Sequence, residues 1–437
     1  MRLLRWICAL GFLTACGDDT PPPPGVDAAT RDAFVRDAGQ DTGSDSGGDS
    51  AVDATDAGID AGVDAGFDAG FDAGPPPCAA PVVDVFELAT ASTPRPRRVH
   101  VAAGADRFVV SWEENRLGQR DVFSRVVPAA GPLGDEVAIT DSFDVTEEPA
   151  VLDRSDGVWV VYRDNRAGNF EVYLERRMAD LSIGEAAQRL TMDAIRNERP
   201  LITAAGAGAL VAWSDSNGLG MSELRAAAVD GSGSVGTVQA PLPGRAASQV
   251  RMRPWDDGAA VAFAEPRDEG GIDAHVVRLA PDGTAAGTAA PMSASGAVSG
   301  TVDVAQSGGG GLFVFGAATP AGGREVRLRP LNSAARPRGP DEQPLLTDID
   351  TSDPSVVGWG EGFAVSYRAL AGADLAEPAI RVSFVDAFGR LSDTLELATA
   401  AGRESPTWIE ASDGVLVVAW ADVTAETTIR AARIRCE

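Results

Sequence analysis

Phe108-Val-Val-Ser-Trp112, Val158-Trp-Val-Val-Tyr162, Leu210-Val-Ala-Trp213, Ala260-Val-Ala-Phe263, Leu312-Phe-Val-Phe315, Phe363-Ala-Val-Ser-Tyr367 and Val415-Leu-Val-Val-Ala-Trp420 are seven apolar runs, each ending on a large aromatic. From Trp112 to Trp420 the aromatics step by 50, 51, 50, 52, 52 and 53 residues. A fixed period of this length is the signature of a repeat architecture. Each run is a strand by its β-branched and aromatic content, and three further strand signals flank it, bounded by Gly, Asp or Pro turns.

About 13 residues before the aromatic lies an opening strand, often begun by proline, as in Pro149-Ala-Val151, Pro200-Leu-Ile202 and Pro354-Ser-Val356. Proline is tolerated there because a strand's first residue need not donate to the ladder. After the aromatic comes an alternating third strand, as in Asp121-Val-Phe-Ser-Arg-Val126, Phe170-Glu-Val-Tyr-Leu174 and Ile380-Arg-Val-Ser-Phe384. A fourth carries leucine or isoleucine before threonine, at Ile139-Thr140, Leu190-Thr191 and Leu346-Thr347. Four antiparallel strands per copy in seven copies predict an all-β, seven-bladed β-propeller over residues 78–437.

The two ends of this segment are defective in complementary ways. Phe86-Glu-Leu-Ala-Thr90 matches the fourth strand Leu395-Glu-Leu-Ala-Thr399, yet no first three strands precede it; the last copy stops after its third strand near Ile434. Together they make one blade, so the N-terminal strand is expected to join the last blade and close the ring. Cys436 maps onto Met178 of the second copy and Cys78 onto Ala179, which are chain neighbours. A Cys78–Cys436 disulfide would therefore stand where an intact blade has a peptide bond, and it requires an oxidising compartment.

Export is written at the start of the chain. Arg2 and Arg5 precede an apolar stretch from Trp6 to Ala15, too short to span a bilayer, which reads as a signal peptide over residues 1–15. It ends Leu13-Thr14-Ala15-Cys16, which resembles the bacterial lipobox. The resemblance implies acylation of Cys16, cleavage before it, and attachment to a lipid bilayer by two or more acyl chains. With Gly17 rather than aspartate at the second mature position, the outer membrane is the expected destination, facing the periplasm or the cell surface.

Residues 16–77 are expected to be a disordered tether. Residues 17–77 hold 14 aspartates against Arg31 and Arg36, and the clearest part repeats every four residues from Ile59-Asp-Ala-Gly62 to Phe71-Asp-Ala-Gly74. One apolar residue in four, with glycine in every unit, cannot bury enough surface to offset ordering entropy. As a flexible coil the segment reaches about 45 Å root-mean-square. The ligand spacing of calcium β-rolls and EF-hands is missing from it.

The whole chain has 437 residues and a formal charge of -27, and its 37 basic residues are all arginine. That balance repels nucleic acid, which is excluded as a partner. The plan resembles the uncharacterised propeller lipoproteins of high-GC Gram-negative bacteria, and that resemblance implies a surface or periplasmic location and no known reaction. It departs from the WD40, Kelch and calcium-binding FG-GAP patterns.

Two residues past the aromatic an acid recurs in five copies, Glu114, Asp164, Asp215, Glu265 and Asp422, and arginine follows two later at Arg116, Arg166 and Arg267. Glu114, Arg116, Asp164, Arg166, Asp215, Glu265 and Asp422 are the candidate ligand-binding residues, as a ring of charges around a central depression. The structural alternative is a turn device in which each acid caps backbone N–H groups or pairs with arginine.

No catalytic constellation, metal cluster or cofactor fingerprint is present. His100 and His275 are isolated in strand-like runs, and neither the Asp-boxes nor an arginine triad of sialidases is recognisable. The expectation is a monomeric, non-enzymatic binding or assembly module for a protein or carbohydrate ligand; the alternative is an extracellular glycan-active hydrolase. A hydrolase would cluster acids from non-equivalent blade positions on one face, at least one of them with a raised pKa.

Overall fold

A computed structural model describes Cys78, residues 80–91 and residues 97–436, apart from 117, 142–143, 193–194, 217–221, 294–295, 321, 340–341, 346–349, 371–377, 400–406 and 424–426. The lipidation site Cys16, the signal peptide and the tether lie outside the described residues, as does Thr347. Among the described residues every regular element is a strand. They form seven antiparallel sheets; in six of them the strands pair in chain order, and in the seventh the first strand pairs with the last.

Blade two is representative: Thr146–Arg154, Gly157–Asp164, Glu171–Arg177 and Ile183–Arg189 run from the inner strand outward. The second strand, which carries the quoted run, is buried along its whole length because neighbouring blades cover both of its faces. Each apolar cluster accordingly spans two blades; one joins Trp159, Val161 and Leu174 to Ile202, Val211 and Trp213 of the next. All seven repeat aromatics are at most 2 % exposed, so they are blade packing.

The fourth strands are uneven, reaching eleven residues in the closing blade. They span three residues in blade one (Glu136–Ala138) and two in blades four and five, and in blade three only the bridges Ala226–Gln239 and Val229–Val235 remain. The apolar-Thr pair ends this strand instead of forming it. Ile139 N–H donates to the Val122 carbonyl, and Thr140 Oγ1 accepts the Val122 N–H at 2.9 Å. Leu190 and Thr191 repeat the arrangement on Val172. A hydroxyl thus satisfies a backbone donor that a longer strand would have paired.

The closing blade has the expected composition. Trp408–Ser412, Val415–Val423 and Thr427–Cys436 are its first three strands, and Pro81–Ala91 pairs antiparallel with Thr427–Cys436 as the fourth. Cys78 and Cys436 are disulfide-bonded with Cα atoms 4.8 Å apart, 358 residues apart in sequence. In blade two the same place is a turn in which Met178 N–H donates to the Ser182 carbonyl.

Candidate functional site

An alternating strand puts residues i and i+2 on one face, so the acid two past the aromatic lies beside the ring it follows. Trp112 Nε1 donates to Glu114 at 3.2 Å and Trp213 Nε1 to Asp215 at 3.0 Å. Each of the five acids also meets an arginine. Glu114 pairs with Arg116 at 2.7 Å, Asp164 with Arg166 at 2.6 Å, Asp215 with Arg225 at 2.7 Å and Asp422 with Arg430 at 3.6 Å. Glu265 is held by Arg245, not by Arg267, which lies near Glu269 and Asp273. Glu265 also meets His275 Nε2 at 3.2 Å.

Asp164 also accepts the Arg166 N–H at 2.7 Å and the Thr146 hydroxyl at 2.7 Å, the capping role of a turn acid. Burial raises the Asp164 carboxyl, and its bonds to Arg166 and Thr146 outweigh that and hold it below the usual range. These acids stay in separate hairpins, one to a blade, each with its own cation.

A different cluster lies on the propeller axis. In each inner strand one residue pairs with the residue before the blade's aromatic. Those seven equivalent positions are His100, Ala150, Leu201, Arg251, Asp303, Ser355 and Trp408. Two residues further along, the equivalents are Ala102, Leu152, Thr203, Arg253, Ala305, Val357 and Glu410, which face the same way. The residues between them, from Val101 to Ile409, are apolar and buried between blades.

Arg253 holds the centre. Its guanidinium donates to Asp303 at 3.1 and 2.8 Å, to Ser355 Oγ at 3.0 Å and to Glu410. Asp303 also accepts from Ser355 Oγ at 2.8 Å and from the N–H of Val356 at 3.1 Å. Trp408 Nε1 donates to Glu410 at 3.0 Å. The Trp408 ring lies 3.8 Å from the His100 ring and within 4.2 and 4.5 Å of the Arg251 and Arg253 guanidiniums.

Three blades contribute partners to one arginine of a fourth, and their environments separate the two carboxyls. Burial pushes both up; for Asp303 the charge and hydrogen bonds of Arg253 prevail and its pKa is lowered. For Glu410 burial prevails and the pKa is raised. Burial lowers Arg251 to about 10, against the attraction of Asp303. Burial, with the charges of Arg253 and Arg251, holds His100 neutral; its Nδ1 accepts the Val151 N–H at 3.3 Å.

The mouth of the axis is built by bulges at the start of the inner strands, on the face of the blade-to-blade connections. Arg98, Glu148, Arg199, Gln249 and Asp353 adopt positive φ of 51–58° there, and Gly300 takes the same place in blade five. Such residues cost about 1 kcal/mol or more each and persist where the surroundings hold them. Glu148 pairs with Arg98 of the preceding blade and accepts the N–H of Arg199 of the next, while its own N–H donates to Glu113 at 2.7 Å.

The sequence reading missed the axial cluster because no residue in it repeats. Aligning the seven inner strands could have found it, since Arg251, Arg253, Asp303 and Glu410 put charge at positions that are otherwise free of carboxylates and guanidiniums.

No family model and no curated protein matches this chain. Among solved structures it is similar to a protein of unknown function from Dyadobacter fermentans DSM 18053, at 12% identity and TM-score 0.48, covering 81% of this chain and 99% of that one. It is also similar to the polysaccharide lyase Uly1, at 11% identity and TM-score 0.48, covering 78% and 90%. A puromycin hydrolase variant is similar at 16% identity and TM-score 0.48, covering 78% and 52%.

Proposed function

We propose that this chain is a cell-envelope lipoprotein whose propeller is a non-enzymatic binding module, with its ligand contacted at the axis on the connection face. Acylated Cys16 holds it to the outer membrane, facing the periplasm or the surface, and residues 16–77 carry the domain clear of the lipid. The observation that carries the reading is the loss of sevenfold equivalence at the axis. A purely structural ring repeats its inner residues, whereas a site for one ligand needs different groups converging from several blades. The hairpin acids are less suited to recognition, because each is already matched by an arginine.

The test has two arms. Radiolabelled palmitate should be incorporated into the full chain and not into Cys16→Ser, which should leave the membrane fraction. The full chain, probed against arrays of envelope glycans and peptides, should bind a ligand that Arg251→Met loses and Arg390→Gln keeps. An array ligand retained by Arg251→Met would sink the axial assignment.

A glycan-active hydrolase is favoured by one observation, the raised Glu410 beside the lowered Asp303, drawn from non-equivalent positions of blades seven and five. Both share Arg253, and a guanidinium between two carboxyls occupies the place a glycosidic oxygen would need. Release of reducing ends from polysaccharide by the full chain, abolished in Glu410→Gln, would reverse the order of the two readings.

A further inference from the structure

We infer that Arg251 is the anchoring group of the axial site and that it takes the carboxylate of an acidic sugar, entering from the connection face. The inference rests on the axial binding proposed above and names the ligand chemistry.

Arg251 and Arg253 are the two arginines among the axial positions, and they are held differently. Arg253 is engaged by Asp303, Ser355 and Glu410. Arg251 lies on the face of Trp408, 4.2 Å from the ring centroid, and no hydrogen bond or ion pair to a described residue holds its guanidinium. Its side chain is half-buried, deep enough for burial to depress its pKa, which at about 10 still leaves it cationic at neutral pH. Its planar fork of five N–H donors therefore has no protein acceptor among the described residues.

The position decides the direction of approach. Arg251 is two residues past Gln249, the bulge residue at the mouth, and Arg253 lies two residues deeper. A ligand coming from the connection face meets the layer of Arg251 and Asp303 before that of Arg253 and Glu410. A carboxylate matches the fork with two parallel hydrogen bonds, which a hydroxyl or a single carbonyl cannot supply.

Charge sets the second property of the site. The Asp303–Arg253–Glu410 triad carries one negative charge in excess, which Arg251 balances from a distance; a bound carboxylate upsets that balance beside Glu410. Protonation of Glu410 restores it. The groups around Glu410 are Arg253 and Asp303 across the axis, the Trp408 indole on its own strand, and Arg251 and His100 on the faces of that indole. His100 is already neutral, so Glu410 is the group that gains the proton. Uptake therefore strengthens as the pH falls through the Glu410 range, until the ligand carboxyl itself protonates.

The experiment is calorimetric titration of the full chain in detergent with D-glucuronate and D-galacturonate, with D-glucose, D-galactose and L-glutamate as comparison probes. The uronates should bind, and Arg251→Met should weaken them by at least about tenfold. Arg251→Lys should restore part of the loss, and Glu410→Gln should flatten the pH profile. Circular dichroism verifies that each variant is folded, and Arg390→Gln on the outer surface should bind as the parent does.

Equal binding of uronates and neutral sugars, both lost in Arg251→Met, would overturn the carboxylate assignment and leave the axial binding site standing. Binding of L-glutamate without the uronates would overturn the sugar class. Uronate binding untouched by Arg251→Met, or no uronate binding at millimolar concentration, would overturn the inference, whereas an array ligand still lost in Arg251→Met would keep the proposed axial site.

Discussion

The hairpins between second and third strands and the axis are both charged, and they use charge oppositely. In the hairpins the same pair recurs around the ring, an acid and an arginine in blades one, two, three, four and seven. On the axis no two of the seven equivalent positions from His100 to Trp408 hold the same residue. Repetition in a closed ring marks what every blade needs in order to fold; departure from it marks what the molecule has at one place only. The outer turns between third and fourth strands fall on the repetitive side, with Asp180, Asp230, Asp282, Asn332 and Asp386 each folding the turn through its own side chain. The closing blade alone substitutes a disulfide.

The largest effect should come from that covalent exception. Removing the bridge in Cys78→Ala/Cys436→Ala should lower the unfolding free energy by up to about 5 kcal/mol, an upper guide for so long a loop. Replacing a repetitive turn acid, Asp230→Ala, should lower it far less. Denaturant titration compares the two, and equal midpoints would mean that strand pairing alone closes the ring.

Arg253→Met comes next. It leaves Asp303 buried and Glu410 without a cation, and should destabilise by about 3–5 kcal/mol. A loss under about 1 kcal/mol would erase the distinction between axis and hairpins.

A pH effect sharpens the comparison further. The His100 pKa is lowered, so the native state binds its proton less readily than the unfolded chain. The resulting stability is fully present above the unfolded pKa of about 6.5 and is lost as the pH falls from there towards the folded value. His275, also lowered by burial, acts in the same direction. The melting temperature should drop below about pH 6.5, and His100→Phe should remove more of that slope than His275→Phe. An unchanged slope in His100→Phe would mean that the axial imidazole is protonated in the folded state.

The smallest effect belongs to the hairpins. Arg225→Gln, which frees Asp215 from a partly exposed partner with 29% side-chain exposure, should cost about 1 kcal/mol at most and fade in high salt. A larger, salt-independent loss would show that the hairpin pairs are part of the core.

Blade number, the aromatic core and the Cys78–Cys436 closure were all legible because they follow from spacing: a period near 50 residues sets the blades, and a missing fourth strand at one end demands its complement at the other. Blade three kept its place in the count although its fourth strand shrank to two bridges, since the period does not depend on that strand's length. The arginine partners were half legible. Arg116 and Arg166 lie two residues from their acids, but Arg225, Arg245 and Arg430 reach theirs from the next strand or from the segment before the blade, where spacing gives no cue.

By itself the sequence determined the architecture, because an apolar run every 50 residues is buried on both faces by stacking copies, and the complementary ends of the first and last copies close the stack into a ring. The export and acylation proposed for residues 1–16 likewise rest on local strings. What only the tertiary structure decided is the axis. Arg251, Arg253, Asp303, Ser355, Glu410, Trp408 and His100 are scattered over more than 300 residues, and no local pattern joins them. Ring closure brings their inner strands to one line, where low polarisability makes each unpaired donor and each shared proton count.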